Sequence, residues 1–444
     1  MPEFLRLSHT NEALQTLLRA LPEGNPSAET IETADALDRI LAEDVRAPNP
    51  LPEFTRSTVD GYAVRARDTF GVSELLPGYL TLSGEVPMGT HPGFAVTPGS
   101  CALIHTGGML PDGADAVVMI ENTQMISGEV PHGRSQGGAG TTADEHTDPV
   151  PAPKIEIGRA VAEGENVLRI GEDVAADQVV LKTGKLVRPA EIGGCMALGI
   201  LQLRVAIKPI IGIISSGDEV ISPNECPRMG QVRDVNSYSL AALIKKAGGK
   251  PKTYGIVPDN LEMMKAVALR AINECAAVII TAGSSASSRD MTDEAISSLG
   301  LPGVLVHGVN VRPGKPTILA VCNGKAVIGL PGNPVSALVI AGLFVVPMIE
   351  KLLGLNIPHP HPYIMARLTM NVPSQAGRED WITVKLIDNE KWDKRNKDKT
   401  CFLAEPIFGK SNLIFSLSAA DGLVRIPPDA TGVSAGEIVE VVLI

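Results

Sequence analysis

From residue 205 onward the apolar positions fall into a regular rhythm. The runs KPIIGII and AAVIIT flank two segments with helical spacing, Ser237 to Ala247 and Leu261 to Glu274, with KTYGIV between them. Strands alternating with helices predict a parallel, doubly wound α/β domain. Asn236 or Ser237 is expected to cap the first helix, and Pro258-Asp259 to lead into the second. Residues 334–353 supply a further apolar helix.

Upstream the pattern is broken into shorter pieces. Residues 11–21 and 34–46 have mixed spacing consistent with helices, and PNPLPEF (48–54) marks a change of direction. DGYAVRA, YLTLSG, CALIHTG and DAVVMIE then read as short strands of a β-rich lobe. The segment 129–153 is poor in large apolar side chains, so burial cannot offset its ordering entropy and an exposed insertion is expected. AEIGGCMALGI (190–200) reads as a short helix that returns to the N-terminal region. Beyond a stiff linker from Pro358 to Pro362, KLI, NLIFSL, GLVRI and IVEVVLI predict a β-rich tail. The expected division is residues 1–50 with 160–205 as a discontinuous helical or mixed dimerisation domain, 51–159 as the lobe, 206–355 as the α/β domain and 356–444 as the tail. The fold class is thus multidomain α/β.

Composition acts mainly by exclusion. The 39 basic and 50 acidic residues among 444 give a formal charge of −11, so a broad nucleic-acid surface lacks support, although a local basic pocket can still hold a phosphate. Six cysteines, at 101, 195, 226, 275, 322 and 401, have no CxxC and no histidine at zinc-site spacing, and read as reduced and mostly structural. No basic segment followed by an apolar signal core opens the chain, and the apolar strings elsewhere are broken by Gly, Pro and charge. A cytoplasmic protein without membrane or nucleic-acid partners is expected.

Candidate chemistry gathers at the predicted strand ends, where open α/β sheets hold ligands. SSGDEVISP (215–223) places Asp218 and Glu219 there, where a carboxylate can bind a hard cation or remain a solvated turn residue. TAGSSASSRDMTDE (281–294) offers the amides and hydroxyls of Ser284 and Ser285 to an anion, followed by Asp290, which can hold Mg²⁺ or simply cap a helix. In VRPGKP (311–316) two prolines stiffen Gly314-Lys315, fixing a cationic head suited to phosphate or molybdate. A surface turn is the bland alternative. Gly332 of LPGNP permits close backbone approach or merely a turn. In the lobe, RSTVDGYAV and HTGGMLPDGADAVVMIE contribute Arg56, Ser57, Asp60, Thr106, Asp115 and Glu121. Asp60 and Thr106 individually read as turn residues, and His105 as structural. There is no GxGxxG at the first strand end and no Walker spacing around Lys315, so dinucleotide binding and ordinary triphosphate hydrolysis are disfavoured.

In order along nearly the whole chain, PEFTRSTVDGYAV, HTGGMLPDGADAVVMIE, RIGEDV, ISSGDEV, RDVNSYSL, VRPGKP and LPGNPVSA resemble the molybdopterin molybdenumtransferase family, which includes the E domain of gephyrin. The resemblance implies a homodimer of four-domain subunits, with a central molybdopterin-binding α/β domain, a helical dimer platform, a β-rich lobe and a C-terminal barrel-like domain. It places the cleft between the α/β domain of one subunit and the lobe of the other. It implies insertion of molybdate into adenylylated molybdopterin, assisted by Mg²⁺, with release of AMP. A non-catalytic molybdopterin-binding scaffold and a molybdopterin adenylyltransferase are the alternatives; an adenylyltransferase and cofactor-delivery proteins are the implied partners. Asp60, Thr106, Glu121 and Glu172 carry over as substrate or oxyanion contacts. Asp218, Asp259 and Asp290 carry over as carboxylates around phosphate and metal, Lys315 as the lysine of PGKP, and Asn236 with Ser237 as a pocket segment. Where a common family form of the 282–290 loop is richer in glycine, this chain has Ala282, Ser287 and Ser288. Thr383 stands where relatives often have arginine, and Arg378 or Lys385 is expected to compensate.

Overall fold

The computed structural model describes residues 7–127, 152–282, 286–355, 362–389 and 402–444, and only the backbone over 286–290. All but the last two residues of the expected insertion, and most of the Pro358 to Pro362 linker, lie outside the described residues. Two compact units emerge. One comprises residues 1–43, 183–192 and 202–444, the other 44–182 and 193–201.

The first unit is built on a six-stranded sheet in the order Lys250–Val257, Ile210–Ser216, Ala277–Ala282, Lys325–Pro331, Ile318–Cys322 and Pro302–His307. The first four strands are parallel. The last two join antiparallel, so the expected parallel sheet is a mixed one. The reversal is local: Asn323 and Gly324, both with positive φ, form the two-residue turn between Ile318–Cys322 and Lys325–Pro331.

Alternation within the strands divides the core. Ile211, Ile213, Ile279 and Ile328 face Leu240 and Ile244 of helix Asn236–Lys246 and Ile340, Phe344 and Met348 of the later helix. Ile214, Val278, Ile280 and Val327 face Met264, Ala268 and Ile272 of helix Leu261–Glu274 and Ile296 of helix Ala286–Ser297. Both sheet faces are therefore covered, as the unbroken apolar runs require. The N-terminal helix Thr10–Ala20 joins the first of these cores through Ala13 and Leu17, with Leu21 just beyond it.

The helical stretch Pro334–Leu352, interrupted by a π-turn at Ala341–Val345, spans 19 residues and is long and apolar enough to cross a membrane. The expectation that every apolar string is broken before that length is corrected here. Its apolar side chains serve the core, with Ala337, Ile340, Phe344, Val345, Met348 and Ile349 all buried.

The C-terminal segment closes into a barrel. Strand Glu379–Asp388 pairs with both Phe402–Pro406 and Gly422–Ile426, while Tyr363–Leu368 and Ile438–Leu443 complete the ring around Leu368, Val384, Ala404, Val424 and Val441. NLIFSL is not the expected strand: Ile414–Ser418 is a short helix, with Phe415 exposed. Residues 34–46 likewise differ from the expected helix. They hold a 3₁₀ turn at Thr33–Asp35, a positive φ at Asp38 and isolated bridges from Ile40 to Leu186 and from Leu41 to Val205, with both side chains buried.

The second unit contains a six-stranded sheet ordered Ala116–Met119, Gly61–Val64, Ser100–Ile104, Gly78–Val86, Lys154–Ile157 and Thr123–Ser127. Its core is formed by Val64, Leu80, Leu82, Val118, Ile155 and Ile157. The five cysteines among the described residues form no disulfide and are all buried except Cys226, and burial pushes the Cys101 thiol up to about 12.

Candidate active site

Strand Ile210–Ser216 runs directly into Gly217, Asp218 and Glu219. The Gly217 amide donates to Val257 O at the end of the neighbouring parallel strand (3.3 Å), and Asp218 Oδ1 accepts the Asp259 amide (3.0 Å). Asp218, Glu219 and Asp259 are exposed. Partial desolvation, then the negative charges of Asp218 and Glu219, raise the Asp259 carboxyl above its ordinary value. Among the described residues no three His, Cys, Asp or Glu side chains form a metal-binding group. Mg²⁺ ordinarily takes one or two carboxylates together with substrate phosphates and water, a donor set that Asp218 and Asp259 fit.

At the same sheet end, Asn236 begins helix Asn236–Lys246 and donates Nδ2–H to Gly332 O (2.8 Å). That bond ties the helix to the LPGNP turn after strand Lys325–Pro331. Asn236 and Ser237 are both buried, and Asn236 Oδ1 has no hydrogen-bond partner among the described residues. The helix cap is Asp234, whose Oδ1 accepts the Ser237 amide (3.0 Å), not Asn236 or Ser237 as the sequence suggested. The next helix is capped by Asn260 Oδ1, which accepts the Met263 amide, one residue beyond the expected Pro258-Asp259.

The turn carrying Lys315 is held from both sides. Thr317 Oγ1 donates to Gly314 O (2.6 Å), the Val309 amide donates to Lys315 O (3.0 Å), and Gly314 adopts φ +119° against Ile340. Val311 and Arg312 pair in parallel with Glu379 and Asp380 of the barrel. Lys315 itself is exposed, with no ion pair among the described residues. A fixed backbone thus presents a cationic side chain to solvent. Arg378 is engaged elsewhere: Nε and Nη2 grip the fully buried Asp380 at 2.7 and 3.0 Å. Thr383 Oγ1 donates to Ile407 O (2.9 Å), and Lys385 is exposed on the same strand.

In the second unit Asp60 and Thr106 form a direct pair. Asp60 Oδ1 accepts the Thr106 amide (2.7 Å) and hydroxyl (3.2 Å), and these bonds are the main reason the Asp60 carboxyl is lowered below its ordinary value. The Ser57 amide donates to Gly108 O and the Gly107 amide donates to Ser57 O, which fixes the turn. Gly61 is required beside it, since a β-carbon there would meet Val118 O at 1.9 Å. The Ile120 amide donates to Asp60 O, and Glu121 follows in an exposed 3₁₀ turn. Glu172 is also exposed; its Oε2 accepts the Arg169 amide (2.8 Å) within a turn that Gly171 joins to Pro52 O. Asp115 is structural here, its Oδ1 accepting the Ala66 amide (2.6 Å).

Ser284 and Ser285 and the side chain of Asp290 lie outside the described residues; the backbone at 290 belongs to helix Ala286–Ser297. The sequence reading missed Asp234, whose signal was a carboxylate three residues before Ser237. It also missed Glu85, whose Oε1 lies 3.1 Å from His105 Nε2, with no sequence signal linking the two.

Comparison with known proteins matches this architecture. Residues 8–199 match the MoeA N-terminal region (domain I and II), 212–351 the probable molybdopterin binding domain, and 365–444 the MoeA C-terminal region (domain IV). The chain is 35% identical to a molybdopterin biosynthesis protein of Methanocaldococcus jannaschii over 95% of this chain and 93% of the relative. It is 31% identical to molybdopterin molybdenumtransferase 2 of Mycobacterium tuberculosis over 93% and 94%, respectively. The crystal structure of the molybdopterin biosynthesis MoeA protein from Pyrococcus horikoshii OT3 is similar over 99% of this chain and 100% of that one, with 32% identity and a TM-score of 0.79. With its three segments matched in family order and its fold shared end to end, the chain belongs to the MoeA, or molybdopterin molybdenumtransferase, family.

Proposed function

We propose that this chain inserts molybdate into adenylylated molybdopterin, with cleavage of the adenylate linkage and release of AMP. The observation that carries the reading is the convergence, at one end of the mixed sheet, of Asp218 and Asp259 with the Asn236–Gly332 turn. The braced Lys315 turn supplies the complementary charge. Lys315 can offset the negative charge of the pyrophosphate or of molybdate as a compact point charge. Gly314 keeps its backbone in place, and Gly332 allows a ligand to approach the main chain. Asp218 and Asp259 would hold Mg²⁺, with Asp290 a third candidate. The cation would screen the repulsion between these carboxylates and a phosphate. Ser284, Ser285 and Ser237 complete the proposed ligand-binding set, while Arg378 is left to brace Asp380.

The reading assigns Asp60, Thr106, Glu121 and Glu172 to the substrate from the lobe of a partner subunit, so the working unit is a homodimer in the cytoplasm. Asp60 and Thr106 then orient the substrate through free acceptor positions. The upstream partner would be the enzyme class that adenylylates molybdopterin.

The test is anaerobic incubation with adenylylated molybdopterin, molybdate and Mg²⁺, scoring AMP and active cofactor separately. Formation of both is expected. Tight binding without either product would reduce the chain to a scaffold, and ATP-dependent formation of adenylylated molybdopterin would replace insertion by the preceding step. Subunit sharing is tested by coexpressing Asp60→Ala with Lys315→Ala. One intact cleft per heterodimer should restore up to about half of the wild-type activity. Purified heterodimers as inactive as either mutant homodimer would reject the shared site.

A further inference from the structure

Three strands of the lobe end on one rung. Gly61 and Val86 are both register partners of Ile104, so Asp60, Glu85 and His105 each lie one residue from that rung. The side chains meet there: His105 Nε2 is 3.1 Å from Glu85 Oε1, and Nδ1 is 3.8 Å from Asp60 Oδ1.

An ionised carboxylate only accepts, so Glu85 fixes the ring proton on Nε2 and turns Nδ1 toward Asp60. The 3.8 Å separation is too long for a hydrogen bond. The effect of the ring on Asp60 is therefore steric and electrostatic. Asp60 Oδ1 already takes both Thr106 bonds, while Oδ2 has no hydrogen bond among the described residues. With Oδ1 held by Thr106 and the imidazole beside it, Oδ2 is the oxygen left for a ligand, and the ring adds a barrier to exchanging the two. An exposed ion pair of this kind adds little to stability. Its consequence is orientation.

We propose that His105, braced by Glu85, is a positioning residue for the Asp60–Thr106 acceptor pair. The proposal rests on the reading of Asp60 as a substrate contact. His105 touches no reacting atom in this scheme. It sets which carboxylate oxygen the substrate meets, and hence substrate affinity more than the chemical step.

The test compares His105→Phe, which keeps a ring but no nitrogens, with Glu85→Gln, which keeps the imidazole but removes the charge of its anchor. Carbon NMR of labelled aspartate follows the Asp60 carboxyl, and insertion kinetics give KM and kcat. At the acidic pH where a carboxylate titrates, an imidazole is ordinarily protonated. Its removal in His105→Phe should raise the titration midpoint of Asp60. KM for adenylylated molybdopterin should rise about tenfold with little change in kcat, and Glu85→Gln should give a smaller rise in KM. A His105→Phe protein with the wild-type KM overturns the proposal. So does one whose only change is a lower melting temperature, with Asp60 titrating as before. Full activity in Asp60→Ala would instead remove the underlying reading of Asp60 as a substrate contact. That failure is separable, because the Asp60 titration reports the His105 contact independently of turnover.

Discussion

Gly314 lies so close to Ile340 that a β-carbon on residue 314 would stand 2.2 Å from Ile340 Cγ1. Gly314 also adopts φ +119°, a conformation disfavoured for any other residue. Gly314→Ala is therefore expected to destabilise the first unit by about 1–3 kcal/mol and to displace the following lysine. Denaturant unfolding measures the first effect, and the molybdate concentration dependence of turnover the second. An alanine variant with wild-type values for both would mean that the turn adjusts freely.

Lys315 has no ion pair to lose among the described residues, so its removal should spare the fold. Lys315→Ala is expected to weaken binding of the anionic substrates by about tenfold to a hundredfold, the scale of a hydrogen bond to a charged group. Lys315→Arg should rescue poorly, because a longer planar fork must fit between two stiff flanks at Pro313 and Pro316. Unchanged substrate and molybdate dependence in folded Lys315→Ala would reject the assignment.

The Asp259 carboxyl binds its proton more tightly in the folded protein than when unfolded. A raised carboxylate value makes the charged form a liability to the fold above that value, and folding gains stability as pH falls through it. Asp259→Asn should therefore unfold at a higher temperature than wild type near neutral pH, with the advantage shrinking on acidification, while Mg²⁺-dependent turnover falls. Melting curves across pH check the sign. A variant less stable than wild type at neutral pH would contradict it.

Glu191 shifts the other way. Arg188, Lys185 and the Arg188 amide all contact this buried carboxylate, and the Arg188 side-chain bond leads in lowering it to about 2. A lowered carboxylate value contributes stability that is complete above the unfolded value near 4.5 and lost as pH falls toward about 2. Glu191→Gln should cost stability at neutral pH and almost none at the acid end. Parallel loss at both ends would assign the effect to packing instead of charge.

The regular part of this fold was legible because its strands are covered on both faces. IIGIIS and AVIITA leave no polar alternation to misread, and the helices between them emerge at nearly their observed limits. The antiparallel edge was missed although Asn323-Gly324 is a strong hairpin signal. It was hidden inside a presumed βαβ rhythm. Residues 34–46 misled because their apolar positions serve single bridges to distant segments, Ile40 to Leu186 and Leu41 to Val205, which local spacing cannot reveal. In the candidate site, the position of Asp218 just past a strand end was legible from the apolar run before it. The Asp60–Thr106 bond joins positions 46 residues apart and was not predictable from either local segment. Arg378 illustrates a different limit, since its engagement by buried Asp380 depends on the closed barrel.

Helix Thr10–Ala20 has a consequence for how the polypeptide is made. Leu17 is fully buried in a core with Val321, Phe344 and Met348, and Leu18 O accepts Lys351 Nζ from 333 positions downstream. A ribosome synthesises the first helix long before any of those residues exists. Its apolar face must wait, exposed or temporarily shielded, until Lys351, 333 positions beyond Leu18, has emerged. The α/β unit consequently cannot complete its packing in the order of synthesis, and loop closure on this scale places the docking of its first helix among the late, slow events of folding.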